Sequence, residues 1–125
     1  MAYDITLIPN LPTDSRAAQD LRNYQWRCVQ INAAGVRPSG TSVDSGRAFI
    51  LAGQANSGDP CELASAGNVT RAYAGAAIGV GNWLTVNGSS MVVPVTSVGS
   101  GAGIVIGTAL TATATINNLI SVLVV

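Results

Sequence analysis

An all-β fold, a small β-barrel or β-sandwich of about seven short strands behind an extended, partly irregular N-terminal arm, follows from three features of this 125-residue sequence. First, β-branched and apolar runs of about four to eight residues recur through the later part of the chain, which is strand length rather than helix length. Second, the punctuation between the runs is Gly, Asn and Ser. From Gly53 to Gly107 few windows of a dozen residues lack a glycine, and each interior Gly costs a helix about 1 kcal/mol relative to Ala. Third, Trp83 to Val93 reads WLTVNGSSMVV. These are two strand-forming runs around Asn87-Gly88, a dipeptide whose positive φ angles suit a tight hairpin turn.

The composition changes near residue 47. Five of the six arginines, four of the six acids and three of the five prolines lie at or before it. The division predicted is therefore an arm over 1–47 and a β-domain over 48–125. In the arm, Asp4 to Ile8 suits a short strand stopped by Pro9 and Pro12. Thr13 then caps a short helix reaching Arg22, with Ala17, Ala18 and Leu21 as its apolar face. Tyr24 to Ile31 (YQWRCVQI) has strand composition, and Ala33 to Gly46 (AAGVRPSGTSVDSG) reads as loop. In the β-domain the strands expected are 48–52, 60–64, 69–74, 83–86, 91–95, 104–110 and 119–125. The Asn117-Asn118 pair suits a turn before the last of them.

Charge narrows the function classes. All six basic residues are arginine and six acids cancel them, so the formal net charge is zero. That removes the electrostatic case for nucleic acid or an anionic membrane as a partner. Charged residues are 10% of the chain, against roughly 25% in a typical soluble domain. No Asp, Glu, Arg or Lys occurs in the 54 residues from Ala72 onward. Edge strands without charged gatekeepers invite pairing, and large uncharged apolar patches are usually interaction sites, so the composition predicts self-association.

Catalytic chemistry finds little to stand on. The chain has no histidine and no lysine, which removes the usual triads, Schiff-base chemistry and phosphate-loop lysines. The glycines of Gly79-Val80-Gly81 and Gly99 to Gly103 lack the acid downstream that a dinucleotide site needs. Cys28 and Cys61 are too few for a disulfide framework and are expected as packed, free thiols in a reducing compartment. No cofactor or metal is expected. One enzymatic pattern remains: Asp44-Ser45-Gly46 matches the Asp-Thr/Ser-Gly element of aspartic proteases, which small members complete by dimerising, and Ile104 to Gly107 resembles its bracing element. A loop-like approach, Pro38 to Val43, replaces the buried strand that element requires.

The order of features from about Ala55 carries a resemblance. Gly58-Asp59-Pro60-Cys61-Glu62-Leu63, Ala66-Gly67-Asn68-Val69, the run from Ala74 to Val86, Val92-Val93-Pro94-Val95, Ile104 to Leu110 and the apolar Leu119 to Val125 follow in sequence. Over about 70 residues this set resembles the small head decoration proteins of tailed bacteriophages. Two departures stand out: Asn82 occupies a position where that family commonly has an acid, and Thr111 to Asn118 (TATATINN) replaces its Gly/Asp-rich turn. Nothing in residues 1–47 matches it.

The resemblance implies a non-enzymatic virion protein, made in the host cytoplasm. Such a protein binds the outside of a capsid, often as a homotrimer, and stabilises it against packaged DNA. On that reading its partners are the major capsid protein and further copies of itself. Arg16, Arg22, Arg27 and Arg37 are the candidates for capsid carboxylates, set against pairing within the chain to Asp14, Asp20 and Asp44. Trp83, Val92, Ile104, Ile106, Leu119 and Leu123 are the candidates for the oligomer core. The alternative is a host-recognition or fibre-type virion module with an exposed Trp or Tyr for glycan. A homodimeric protease using Asp44 comes last.

Overall fold

A computed structural model describes residues 16–40, 48–64, 66–95 and 104–125. The expected strand at 4–8, the Thr13 cap, Asp14, the Asp44-Ser45-Gly46 element and the glycine run at 99–103 lie outside the described residues.

Every regular element of any length is a strand: β1 (Cys28–Asn32), β2 (Gly35–Pro38), β3 (Phe49–Leu51), β4 (Leu63–Ala64), β5 (Val69–Tyr73), β6 (Trp83–Val86), β7 (Val92–Pro94), β8 (Gly107–Ala109) and β9 (Leu119–Val124). They form two antiparallel sheets, ordered β2-β1-β3-β4 and β5-β9-β8-β6-β7. The two sheets pack in sandwich fashion and do not close into a barrel. Each of the seven strands expected after residue 47 is present, β6 with the expected bounds and the other six trimmed.

The chain before residue 47 departs from expectation in three ways. Residues 16–18 are extended rather than helical, because their backbone groups bond across the fold: Ala17 N–H donates to Asp59 O, Ala18 N–H to Val36 O, and Val36 N–H to Arg16 O. A single 3-10 turn at Arg22–Tyr24 is all the helix there is among the described residues. The strand expected from Tyr24 begins only at Cys28, since Tyr24 to Arg27 is a β-turn closed by Arg27 N–H to Tyr24 O at 2.9 Å. The supposed loop after Ala33 contains β2, which pairs with β1 over Val29↔Pro38 to Asn32↔Gly35. β1 also pairs with β3, Cys28↔Ile50 and Val29↔Phe49, so one sheet holds strands from both sides of residue 47.

The period of two along each strand sorts the apolar residues into two clusters. Cys28, Ile50 and Ala64 of the first sheet face Ala72, Leu84, Val86, Val92, Ile120, Val122 and Val124 of the second. On the other side of the first sheet, Val29, Val36, Leu51 and Leu63 pack against Ala17, Leu21, Ala55 and Cys61. The first sheet is thus covered on both faces, with the segment at 16–21 as an outer layer. Leu21, Leu51 and Leu84 are completely buried, and each contributes about 1.5–3 kcal/mol of transfer free energy.

The predicted hairpin joins β6 and β7, Leu84↔Pro94 to Val86↔Val92, but its turn chemistry differs from the expected one. Gly88 is not among the positive-φ residues; that conformation falls on Ser90, at φ 64°. The connection is Asn87 to Met91, with Asn87 N–H donating to Met91 O and the Asn87 Oδ1 accepting from Ser89 and Met91 N–H. Ser90 pays for its backbone with tertiary bonds. Its hydroxyl donates to Ser39 O at 2.5 Å and its carbonyl accepts Cys28 N–H at 2.7 Å, fastening the hairpin tip to the first sheet. The expected turn before β9 is present, with Asn117 at φ 65°.

Candidate functional site

The inner face of the second sheet is spent on the core; on its outer face Thr85 and Val93 are also covered, whereas the strip through Trp83, Leu123 and Val69 is open. Strand register places Trp83 opposite Thr108, Thr108 opposite Leu123, and Leu123 opposite Val69. The result is a row running across β6, β8, β9 and β5 with no charged member. Adjacent strands lie about 4.8 Å apart, so the row is roughly 14 Å wide. Trp83 is 56% exposed and Val69 64%. Arg71, on the outermost strand, is the one charged residue among the strands of this sheet.

At the Trp83 end the row opens into a cleft of about 690 Å³ lined by Gly81, Asn82, Trp83, Pro94, Val95, Val105 and Val125. Apart from Asn82 no lining side chain carries a polar group other than the indole N–H. Val95, Val105 and Val125 are each more than 40% exposed. Exposed apolar side chains scattered singly are normal, but a contiguous set with no charged side chain among its described lining residues is suited to an interaction surface.

The six residues expected to form an oligomer core divide by strand phase. Trp83, Leu119 and Leu123 stand on the outer face, the first two exposed and the third half-buried. Val92 and Ile106 are 0% and 3% exposed. Pointing inward, they belong to the chain's own core and are unavailable to a neighbour. Ile104 is partly buried and packs against the same core. Val95, Val105 and Val125, which complete the cleft, are missing from the expected set. The alternation of β9, with Ile120, Val122 and Val124 inside, is the signal that separates the two groups.

The four arginines also part company. Arg16 and Arg37 sit at one edge of the first sheet, where the segment at 16–18 pairs alongside β2. Arg16 donates to Gly58 O at 3.0 Å, and Arg37 is exposed with no partner among the described residues. Arg22 pairs with Asp20 at 2.7 Å, and the guanidinium holds that carboxyl down at about 2. Both groups are exposed, so the pair contributes little to stability. Arg27 lies over the Tyr73 ring at 5.3 Å and donates to Ser89 O at 3.1 Å, linking the start of β1 to the hairpin tip.

Both cysteines are free and buried, one in each apolar cluster. Desolvation pushes the Cys28 thiol up to about 12 and that of Cys61 up to about 11. Thiols so far from ionising are neither nucleophiles nor metal ligands. Among the described residues no three His, Cys, Asp or Glu side chains gather as a metal site requires.

No protein-family model matches the chain. No curated protein sequence matches it. Among solved structures it is similar to the head fiber gp8.5 N base of bacteriophage phi29, at 16% identity and a TM-score of 0.57, over 89% of this chain and 90% of that one. The two share a fold.

Proposed function

We infer that the protein is a non-enzymatic structural component of a phage virion, one that self-associates through the outer face of its second sheet and binds the outside of a capsid. The observation that carries the assembly is the uncharged row from Trp83 to Val69 with its apolar cleft. Left in water, that face costs solvation and exposes the chain to adventitious pairing; covered by further copies, it becomes the centre of an interface, with a Trp at its middle as interface cores favour. A homotrimer lets each copy bring one such face and one capsid-binding edge, so that three weak contacts add as avidity.

The likeness to a head fibre base supports placing this assembly on a phage head. Arg16 and Arg37 are the capsid contacts the geometry favours, because they share an edge of the first sheet away from the apolar cleft. Arg37 in particular has no carboxylate partner among the described residues, which leaves its guanidinium for a carboxylate of the capsid. A fibre-type module is the second reading, favoured by the likeness to a head fiber base.

Co-sedimentation with purified capsids that lack the protein tests the proposal. The wild type is expected to pellet with the capsids as an oligomer, and the Arg16→Gln/Arg37→Gln double variant to remain mostly in the supernatant. A wild type that stays in the supernatant overturns capsid binding.

A further inference from the structure

We propose that the chain carries a second binding site, a trough passing over Trp26 that accepts an extended acidic glycan. It goes beyond the assembly reading, which requires no such ligand. Two clefts share Trp26 as their common wall. In the first, of about 280 Å³, the amides of Asn23, Gln25 and Gln54 surround Tyr73, Arg22 and Arg27. In the second, of about 480 Å³, the hydroxyls of Thr70 and Ser121 accompany Glu62 and Arg71. The trough lies where the turn before β1 meets β5, at the Val69 end of the outer row; Val69 itself lines the second cleft, so the site is open where copies meet chiefly through the Trp83 end.

Its chemistry is that of sugar recognition. A pyranose offers one apolar face that stacks on an aromatic ring and a girdle of hydroxyls that both donate and accept. Amide side chains supply a donor and an acceptor each, and Ser and Thr hydroxyls do the same. Trp26 supplies the stacking ring and is only half-buried, while Tyr73, also half-buried, has Arg27 over its ring and offers its hydroxyl. The charge balance then selects an acidic sugar. Arg22 is neutralised by Asp20, but Arg27 and Arg71 have no carboxylate within ion-pair distance among the described residues. Against Glu62, the trough retains one uncompensated positive charge.

The backbone at Trp26 points the same way. Gln25 has φ −55° and ψ 134°, and Trp26 follows at φ 67°, which makes Tyr24 to Arg27 a type II turn with Trp in the third position. That position ordinarily holds Gly or Asn, and a bulky residue there costs about 1–2 kcal/mol. Two tertiary bonds hold the conformation: Trp26 N–H donates to Leu51 O at 2.7 Å, and Trp26 O accepts from Tyr73 N–H at 2.9 Å. A half-buried indole does not recover that cost by packing as a fully buried one would. Strain of this kind, fixed by the surrounding fold, is characteristic of ligand sites.

The test uses the full chain with Trp83→Phe, so that Trp26 is the single fluorescent indole. It is applied to an array of uronate-, sialate- and phosphate-bearing oligosaccharides beside their uncharged counterparts, with hexaglutamate as a non-sugar anion. Expected are binding to acidic oligosaccharides with a change in Trp26 emission, and binding of the neutral counterparts at least about tenfold weaker. Arg71→Gln, an exposed substitution that leaves the thermal midpoint unchanged, lowers the affinity about tenfold, the loss of one charge-assisted hydrogen bond. Trp26→Asn, which suits the turn, abolishes binding while the protein stays folded. The proposal is overturned if no acidic oligosaccharide binds at millimolar concentration, if Arg71→Gln and Trp26→Asn bind as the parent does, or if hexaglutamate binds as well as the glycans.

Discussion

Replacing Trp83 by Ser tests whether the uncharged face assembles the protein. The side chain is 56% exposed in the single chain. A Trp presents up to about 250 Å², so about 140 Å² per copy is available for burial against a neighbour. At about 25 cal/mol per Å² that area corresponds to about 3.5 kcal/mol, and truncations at the centre of interfaces cost about 2–4 kcal/mol. The expected weakening is about two to three orders of magnitude in the dissociation constant of each contact. Because the indole lies outside the core, the folded chain survives: the circular dichroism spectrum and the midpoint of thermal unfolding of the dilute protein stay close to wild type. Sedimentation velocity over a concentration series reads the result. The wild type should sediment as an oligomer at micromolar concentration and Trp83→Ser as a monomer. A monomeric wild type at high concentration, or an unchanged oligomer in the variant, refutes the reasoning from composition to assembly.

Three further outcomes follow from the interior. Gly107→Ala places a Cβ 2.6 Å from Leu123 O and 2.7 Å from a Val122 methyl, between β8 and β9; it should destabilise by about 2–3 kcal/mol and lower the thermal midpoint by about 10 °C, read by differential scanning calorimetry. The Thr85 hydroxyl is buried without a hydrogen-bond partner among the described residues, so Thr85→Val should leave the fold intact and raise the urea midpoint, by about 1 kcal/mol of stability. Cys28 and Cys61 should resist a thiol reagent at pH 8 in the folded protein and react at once in urea. Rapid labelling of the native chain would contradict their burial.

How much of this was legible in the sequence depends on what kind of information each element uses. Strands β3 to β9 announce themselves through local composition and glycine spacing. β2 does not, because Gly35-Val36-Arg37-Pro38 is poor strand material and becomes a strand only by pairing with β1 on one side and Arg16–Ala18 on the other. Residues 16–21 have a helical apolar pattern, yet their N–H groups find carbonyls on Asp59, Val36 and Ala55 instead. Tertiary partners decided both cases. Trp26 in a glycine position, and Ser90 rather than Gly88 at positive φ, are invisible to turn statistics because distant backbone groups fix them. The missing charge pointed to a sticky surface without saying which side of each strand it occupies. Val92 and Ile106 were therefore grouped with Trp83 and Leu119, although the phase of alternation sends them to opposite faces.

Strand β9 stands between β5 and β8, and these two meet only through it. In the order of synthesis it comes after both of its neighbours. Until it inserts, Leu123 cannot stand between Thr108 and Val69, and the adhesive strip does not exist as a continuous surface. Until then β5 and β8 each present an open edge, so insertion of the last strand exchanges two backbone edges that would pair with any passing strand for one side-chain surface of defined shape.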